Sequence, residues 1–383
     1  MPAFATPTPG MWSSEEVTAA WLGHSTVLIN FFGLMIITDP VFSRRIGIRL
    51  PFLTLGPKRL TEPALAFPEL PPIDLVLLSH AHFDHIDRWT LKRFPKSTSV
   101  ITARSTRDLL RGTKFSEIIE LDWNKTVRVN PRGLEVEVTA FRPNHWGARM
   151  QYDEHRGYNS YIISRGDKRI IYGADTAMTE EFAKLRDGRP FALAIMSIGA
   201  YDPWIRAHAT PEQAIAMADA AGAQHIMPVH HQTFRLSVEP FREPIERFTR
   251  ALAHAPERIA LREIGETFVL PPCPGRGRVQ SLPPPDQADV AQLVEQRFRK
   301  PQVTGSNPVV GSKVQWKQRL SFRPCRRRRT SNRSSLRSSK PVFHLPKLFL
   351  LMTDQRTGHV NKFELLGRSV EFACWNERAL IVV

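Results

Sequence analysis

Residues 79–87 read SHAHFDHID and follow the apolar run Leu75-Val76-Leu77-Leu78. A short unbroken apolar run marks a fully buried strand. One buried strand therefore ends in three histidines and two aspartates within nine residues. If the chain is still extended there, His80 and His82 share a face. Asp84 and His85 come where the strand must turn, so they can address a neighbouring position. Four ligand-type side chains in six residues point to two adjacent metal positions rather than one. The first 271 residues contain no cysteine, so a metal there must be held by imidazole and carboxylate. Such donors suit two Zn2+ ions, with iron or manganese also fitting.

One local cluster cannot complete two sites, and the sequence offers further ligands after other apolar strands. His145 follows Phe141 in FRPNHWG, Asp175 follows Ile170-Ile171-Tyr172 in YGADTA, and His230 follows Ile226-Met227-Pro228-Val229 in MPVHHQTF. His230 and the adjacent His231 compete for one role. His208, in RAHATPEQA, is open between a substrate contact and a turn-stabilising role. Asp87 is expected to orient a ligand histidine from behind. His24, His155 and His225 read as structural or surface histidines.

The periodicities around these positions describe a layered α/β domain ending near residue 271. Residues 18–38 read as short strands punctuated by Gly33, Leu134–Phe141 alternates as a half-buried strand, and Ala192–Ile198 is buried throughout. Pro211–Ala221 has the marks of a helix, with Thr210 at the N-cap and Gly222 at the stop. Ser105–Arg111 and Glu243–His254 also read as helical. Residues 42–72, rich in Pro, Arg and Leu, suggest a functional lid over the site. Such a lid would offer apolar surface and cations together, suiting an amphiphilic phosphodiester.

The net charge of +16 is unevenly spread. Residues 272–383 hold 21 Lys and Arg against 7 Asp and Glu, whereas residues 1–271 hold 32 against 30. The excess says little about what the first 271 residues bind. The three cysteines, Cys273, Cys325 and Cys374, share the basic segment. The N-terminus has no basic-then-apolar leader and no run approaches a membrane span, so the expected location is the cytoplasm.

With its distal partners, HAHFDHID resembles the metallo-β-lactamase superfamily. The flanking text WLGHSTVLI, TDPVFSRR, RPNHWGAR, IGAYDPW, HATPEQA and PVHHQTF resembles the branch of N-acyl-phosphatidylethanolamine-hydrolysing phospholipase D, over roughly residues 18–250. The resemblance implies a four-layer αββα sandwich with a dinuclear site at one sheet edge. It implies that His80, His82 and His145 hold one ion, that Asp84, His85 and His230 hold the second, and that Asp175 bridges both. The expected activity is a phosphodiesterase working by metal-hydroxide attack, with Asp84, Asp175 and His208 as the catalytic candidates. Lactone hydrolysis is the alternative, and β-lactam cleavage a weaker one. Where this family usually has HWGTF, the present chain has His231-Gln232 in place of Trp-Gly, which bears on the pocket wall.

The basic segment suggests a different class. Arg326–Arg329 and the Ser-rich run after them suit a phosphate backbone, as in an RNA-binding or RNA-processing protein. Yet DVAQLVEQ at 289–296 and GSNP at 305–308 resemble translations of a tRNA gene's D-arm and T-loop, so residues 288–311 read as a conceptual translation through such a gene. The expected organisation is a hydrolase domain at 1–271 followed by a largely disordered read-through extension at 272–383, with a lipid-like or small phosphodiester as partner rather than nucleic acid.

Overall fold

The structure is a computed structural model and describes residues 1–150, 152–271 and two short strands at 363–365 and 368–370. The expected disorder and read-through origin of the extension lie outside the described residues.

The chain begins with a meander, β1 (Val17–Gly23), β2 (Thr26–Phe31) and β3 (Leu34–Thr38). A small hairpin pairs β4 (Ile48–Arg49) with β5 (Thr54–Leu55) inside the segment expected to form a lid. Next come β6 (Leu75–Leu77), α1 (Arg88–Leu91), β7 (Ser99–Ala103) and β8 (Glu117–Leu121). The second half runs β9 (Thr126–Val129), β10 (Val136–Phe141), β11 (Ser160–Arg165), β12 (Lys168–Tyr172), β13 (Phe191–Ser197), α2 (Pro211–Ala221), β14 (Ala223–Val229), α3 (Glu243–Ala251) and β15 (Thr267–Val269). A separate hairpin joins β16 (Phe363–Leu365) to β17 (Arg368–Val370).

Two sheets result, in the orders β15-β1-β2-β3-β6-β7-β8 and β14-β13-β12-β11-β10-β9. Strands β3, β6, β7 and β8 run parallel, as do β12, β13 and β14. Alternation sorts the second sheet's side chains between two cores. Tyr161, Ile163, Ile170, Tyr172, Leu193 and Ile195 face the first sheet. Ile162, Ile171, Ala194 and Met196 pack with α2 and α3. Helix α2 begins where the sequence indicates: Gln213 N–H donates to Thr210 Oγ1 at 3.3 Å, Thr210 N–H donates to Gln213 Oε1, and Gly222 ends the helix at φ 85°. On the first sheet the helical cover is thin. Helix α1 spans one turn, and Ser105–Arg111 shortens to a 3-10 turn at Arg107–Leu110.

This is the expected sandwich with few helices, and its topology creates the site. Parallel strands present their C-terminal ends along one edge, where open α/β sheets place their ligands. The loops after β3, β6, β12 and β14 leave from such ends. Strand β10 reaches the same edge because two antiparallel steps separate it from β12.

Candidate metal centre

The chain turns sharply as it leaves several of these strands. His24, Asp39, Ala174 and His230 adopt left-handed backbone, at φ 52°, 30°, 50° and 63°. Such a conformation is uncommon outside glycine and tends to gather at functional sites. Here it swings side chains from separate strands toward one point.

Three histidines form one group. His82 Nδ1 lies 2.8 Å from His80 Nε2 and 3.4 Å from His145 Nε2. Asp84, His85 and His230 form a second, with the Nε2 atoms of His85 and His230 at 3.6 and 3.4 Å from Asp84 Oδ2. Asp175 Oδ2 stands between the groups. It is 3.9 Å from both His80 Nε2 and His145 Nε2, 3.0 Å from His85 Nε2 and 3.1 Å from His230 Nε2. All seven residues called from the sequence as ligands are therefore together, and His208 joins them. Its ring is 5.2 Å from that of His145 and 5.3 Å from that of His230. His231 turns away and packs its ring 4.5 Å from Trp21, so His230 is the member of the pair that faces the cluster.

The donor set fits cations. Donors about 2.0–2.1 Å from one tetrahedral zinc lie about 3.3 Å from each other, close to the separations here. His208 Nδ1 and His230 Nδ1 are buried without a hydrogen-bond partner among the described residues, and His85 Nε2 and His230 Nε2 make no aligned hydrogen bond although Asp175 Oδ2 lies 3.0 and 3.1 Å away. Buried polar atoms are almost always paired, so their convergence beside Asp175 points to an ion as the missing partner. The opposite ring nitrogens are already held. His145 Nδ1 faces Ala207 O at 3.0 Å and must carry the proton there, leaving Nε2 its lone pair. His80 Nδ1 meets Ser79 Oγ at 2.8 Å, and His85 Nδ1 meets Asp39 Oδ2 at 2.6 Å.

Charge is arranged to match. Burial opposes ionisation of Asp84 and Asp175, but His85 and His230 hold both well below the usual carboxylate range, with His24 adding to the effect on Asp84. Burial lowers His80 and His145 far down and His82 and His208 to about 4. Neutral imidazole and ionised carboxylate are the forms a metal needs. Two histidines differ. Burial disfavours their cations, yet Asp175 leads the carboxylates that raise His85 and bring His230 up to about 9. Without an ion these two hold the protons that a metal must displace.

Two roles need correcting. Asp87 does not orient a site histidine: it caps α1 through Trp89 N–H and accepts from Thr90 Oγ1 and Ser43 N–H. The orienting carboxylate is Asp39, buried on His85 with Ser79 Oγ and Tyr172 OH also donating to it. His24, read as structural, has Nε2 3.0 Å from Asp84 Oδ2 and its ring 4.1 Å from that of His230. Arg149 was missed as well. Its half-buried guanidinium donates to Ala81 O and Ile86 O at 2.8 and 2.9 Å and stacks 3.9 Å from the Phe83 ring centroid, clamping the ligand loop. A strand-final Asp39 was the only available sequence signal for these roles. Neither an arginine four residues after a ligand nor a histidine after a glycine announces such a function.

A family model described as a beta-lactamase superfamily domain matches residues 35–231, the span from β3 to the last ligand strand. This chain belongs to the metallo-β-lactamase superfamily. Within it the protein is a metal-dependent hydrolase. It is 32% identical over 258 residues to an uncharacterized protein of Mycobacterium tuberculosis, covering 64% of this chain and 67% of that one. It is 28% identical over 250 residues to N-acyl-phosphatidylethanolamine-hydrolyzing phospholipase D 1 of Caenorhabditis elegans, covering 61% of this chain and 69% of that one. The isothiocyanate hydrolase from Delia radicum gut bacteria shares the superfamily fold at a TM-score of 0.53 and 15% identity, covering 67% of this chain and all of that one. Among the described residues no helix is long and apolar enough to cross a membrane.

Proposed function

We propose that residues 1–271 form a dinuclear phosphodiesterase acting on N-acyl-phosphatidylethanolamine-like or related phosphodiesters. The observation that carries the two-ion reading is the place of Asp175 Oδ2, 3.0–3.9 Å from two separate sets of imidazoles. His80, His82 and His145 would hold one ion, Asp84, His85 and His230 the other, and Asp175 both. When bound, such a pair supplies Lewis acidity and makes water reactive near neutral pH. Zinc suits these donors, and iron or manganese is compatible with them.

The chain's own residues do the rest. Asp39 fixes the ring of His85, and Arg149 fixes the loop that carries His82, Asp84 and His85. Asp84 and Asp175, kept ionised, offset the cations' charge. His208, neutral and with Nδ1 unpartnered, is suited to meet a substrate oxygen beside the ions. Similarity to the nematode phospholipase D favours a phosphodiester over a lactone.

The deciding experiment assays metal-loaded protein on N-acyl-phosphatidylethanolamine, an aryl phosphodiester and a lactone panel, with metal content measured on the same sample. Two ions per chain with phosphodiester turnover is the expected result. Lactone cleavage alone would replace the phosphodiesterase reading, and a single ion would remove the dinuclear one.

A further inference from the structure

The β4–β5 hairpin is built in an unusual way for a soluble surface. Its tip, Leu50-Pro51-Phe52-Leu53, is wholly apolar. The tip closes on itself, with Leu50 N–H donating to Leu53 O at 2.7 Å. Phe52 is fully exposed and Leu53 about half-exposed. At its base, Gly47 and Gly56 press together so closely that a Cβ on either would sit about 2 Å from the opposite strand's carbonyl oxygen. Ile46 then anchors the base in a small core with Val41 and Phe234. A protruding apolar tip on a rigid base is not spare loop, because exposed phenylalanine gains nothing from water.

Positive charge gathers on the hairpin and at its root. Residues 40–61 contain Arg44, Arg45, Arg49, Lys58 and Arg59 and no acidic residue. Arg44, Arg45, Arg49 and Lys58 are exposed, and none forms an ion pair with a carboxylate of the described residues. Arg49 lies over the half-exposed Trp89, 3.9 Å from its ring centroid, and Lys92 approaches the same ring at 5.1 Å. Trp89 adjoins the Asp87 cap, to which Ser43 N–H also donates. The hairpin root and the end of the metal-ligand loop are thus tied through one carboxylate.

We propose that this hairpin, with Trp89, docks the protein on an anionic lipid bilayer surface, Phe52 and Leu53 entering the headgroup boundary and the arginines and Lys58 meeting lipid phosphates. Amphipathic elements with cations on the rim and aromatic or aliphatic groups at the tip bind such surfaces by these two forces together. A nucleic acid would use the cations but leave Phe52 and Leu53 unburied, since they lie at a narrow tip with no aromatic groove around them. The proposal leans on the lipid-like substrate class above only for its purpose; the surface itself is independent of the chemistry.

The test uses the full chain with vesicles of phosphatidylcholine, with and without phosphatidylglycerol. The basic segment 272–383 is present in every variant, so differences between variants report on the hairpin. Expected results are binding that needs the anionic lipid, F52S/L53S weaker by at least about tenfold, and R44Q/K58Q weaker by roughly tenfold in a manner that added salt removes. Amides 46–56 should exchange more slowly on vesicles. The proposal is overturned by unchanged affinity in F52S/L53S, by unaltered exchange at 46–56, or by R44Q/K58Q losing RNA affinity while keeping vesicle affinity. Metal content and turnover are followed in parallel. A chain that docks through the hairpin yet cleaves no phosphodiester would end the preceding reading and leave this one standing.

Discussion

Two buried polar clusters in this protein are built on opposite plans. Around Arg156 the polar groups answer one another. Its guanidinium donates to Asp153 at 2.6 Å, to both oxygens of Asp108 and to Ser105 O, while Met150 N–H takes the remaining side of Asp153. Around Asp175 the groups crowd together and leave imidazole nitrogens without partners. Both clusters incur the desolvation cost of buried charge. The first recovers it within the chain, which is what a structural staple requires. The second is completed only by something from outside, which is what a binding site requires.

The sharpest way to break that contrast is Asp175→Ala. If Asp175 joins two ion sites, metal content falls from two per chain to one or none and hydrolysis drops roughly a thousandfold; retention of two ions would end the bridging role. Asp39→Asn comes next, with metal affinity reduced about 10–100-fold while the cooperative unfolding transition persists. Arg156→Met tests the opposite arm. It should cost about 2–3 kcal/mol of stability, discounted because Asp108 is half-exposed, and leave metal stoichiometry untouched.

Metal uptake should also depend on pH. His230 holds a proton up to about pH 9 when no ion is present. Ion binding must therefore release protons, and affinity must fall as pH drops below that value. Proton release measured at pH 8 on adding zinc would check it, and uptake without release would contradict it. The smallest effect belongs to His231, which burial depresses to about 3. Its neutral form contributes stability that is fully present above the unfolded-state value of 6.5 and is lost as pH falls toward 3. In His231→Phe the acid limb of the stability curve should flatten, by about 1 kcal/mol over the first pH unit below 6.5, with metal content unchanged.

Much of the site was legible because it is local. SHAHFDHID carries its meaning in spacing alone, and His145, Asp175 and His230 stand immediately after apolar runs. What was not legible depends on which strand lies beside which. Asp39 and His85 are 46 positions apart and meet because β3 and β6 are parallel neighbours. Asp87 lies closer in sequence to the ligands, but the start of α1 claims its carboxylate. Arg49 and Phe52 looked like parts of an undivided lid until the Gly47–Gly56 contact defined a hairpin.

The amino-acid sequence by itself determined the donor types, the strand ends that bear them and the capped helix between His208 and His230, since these follow from periodicity and short-range chemistry. Only the tertiary structure decided which histidine of the 230–231 pair faces Asp175, that His24 belongs with Asp84, and that Asp39 rather than Asp87 steadies His85. Those choices rest on sheet order and on the direction in which a strand-end residue turns, and neither is encoded in a residue's immediate neighbours.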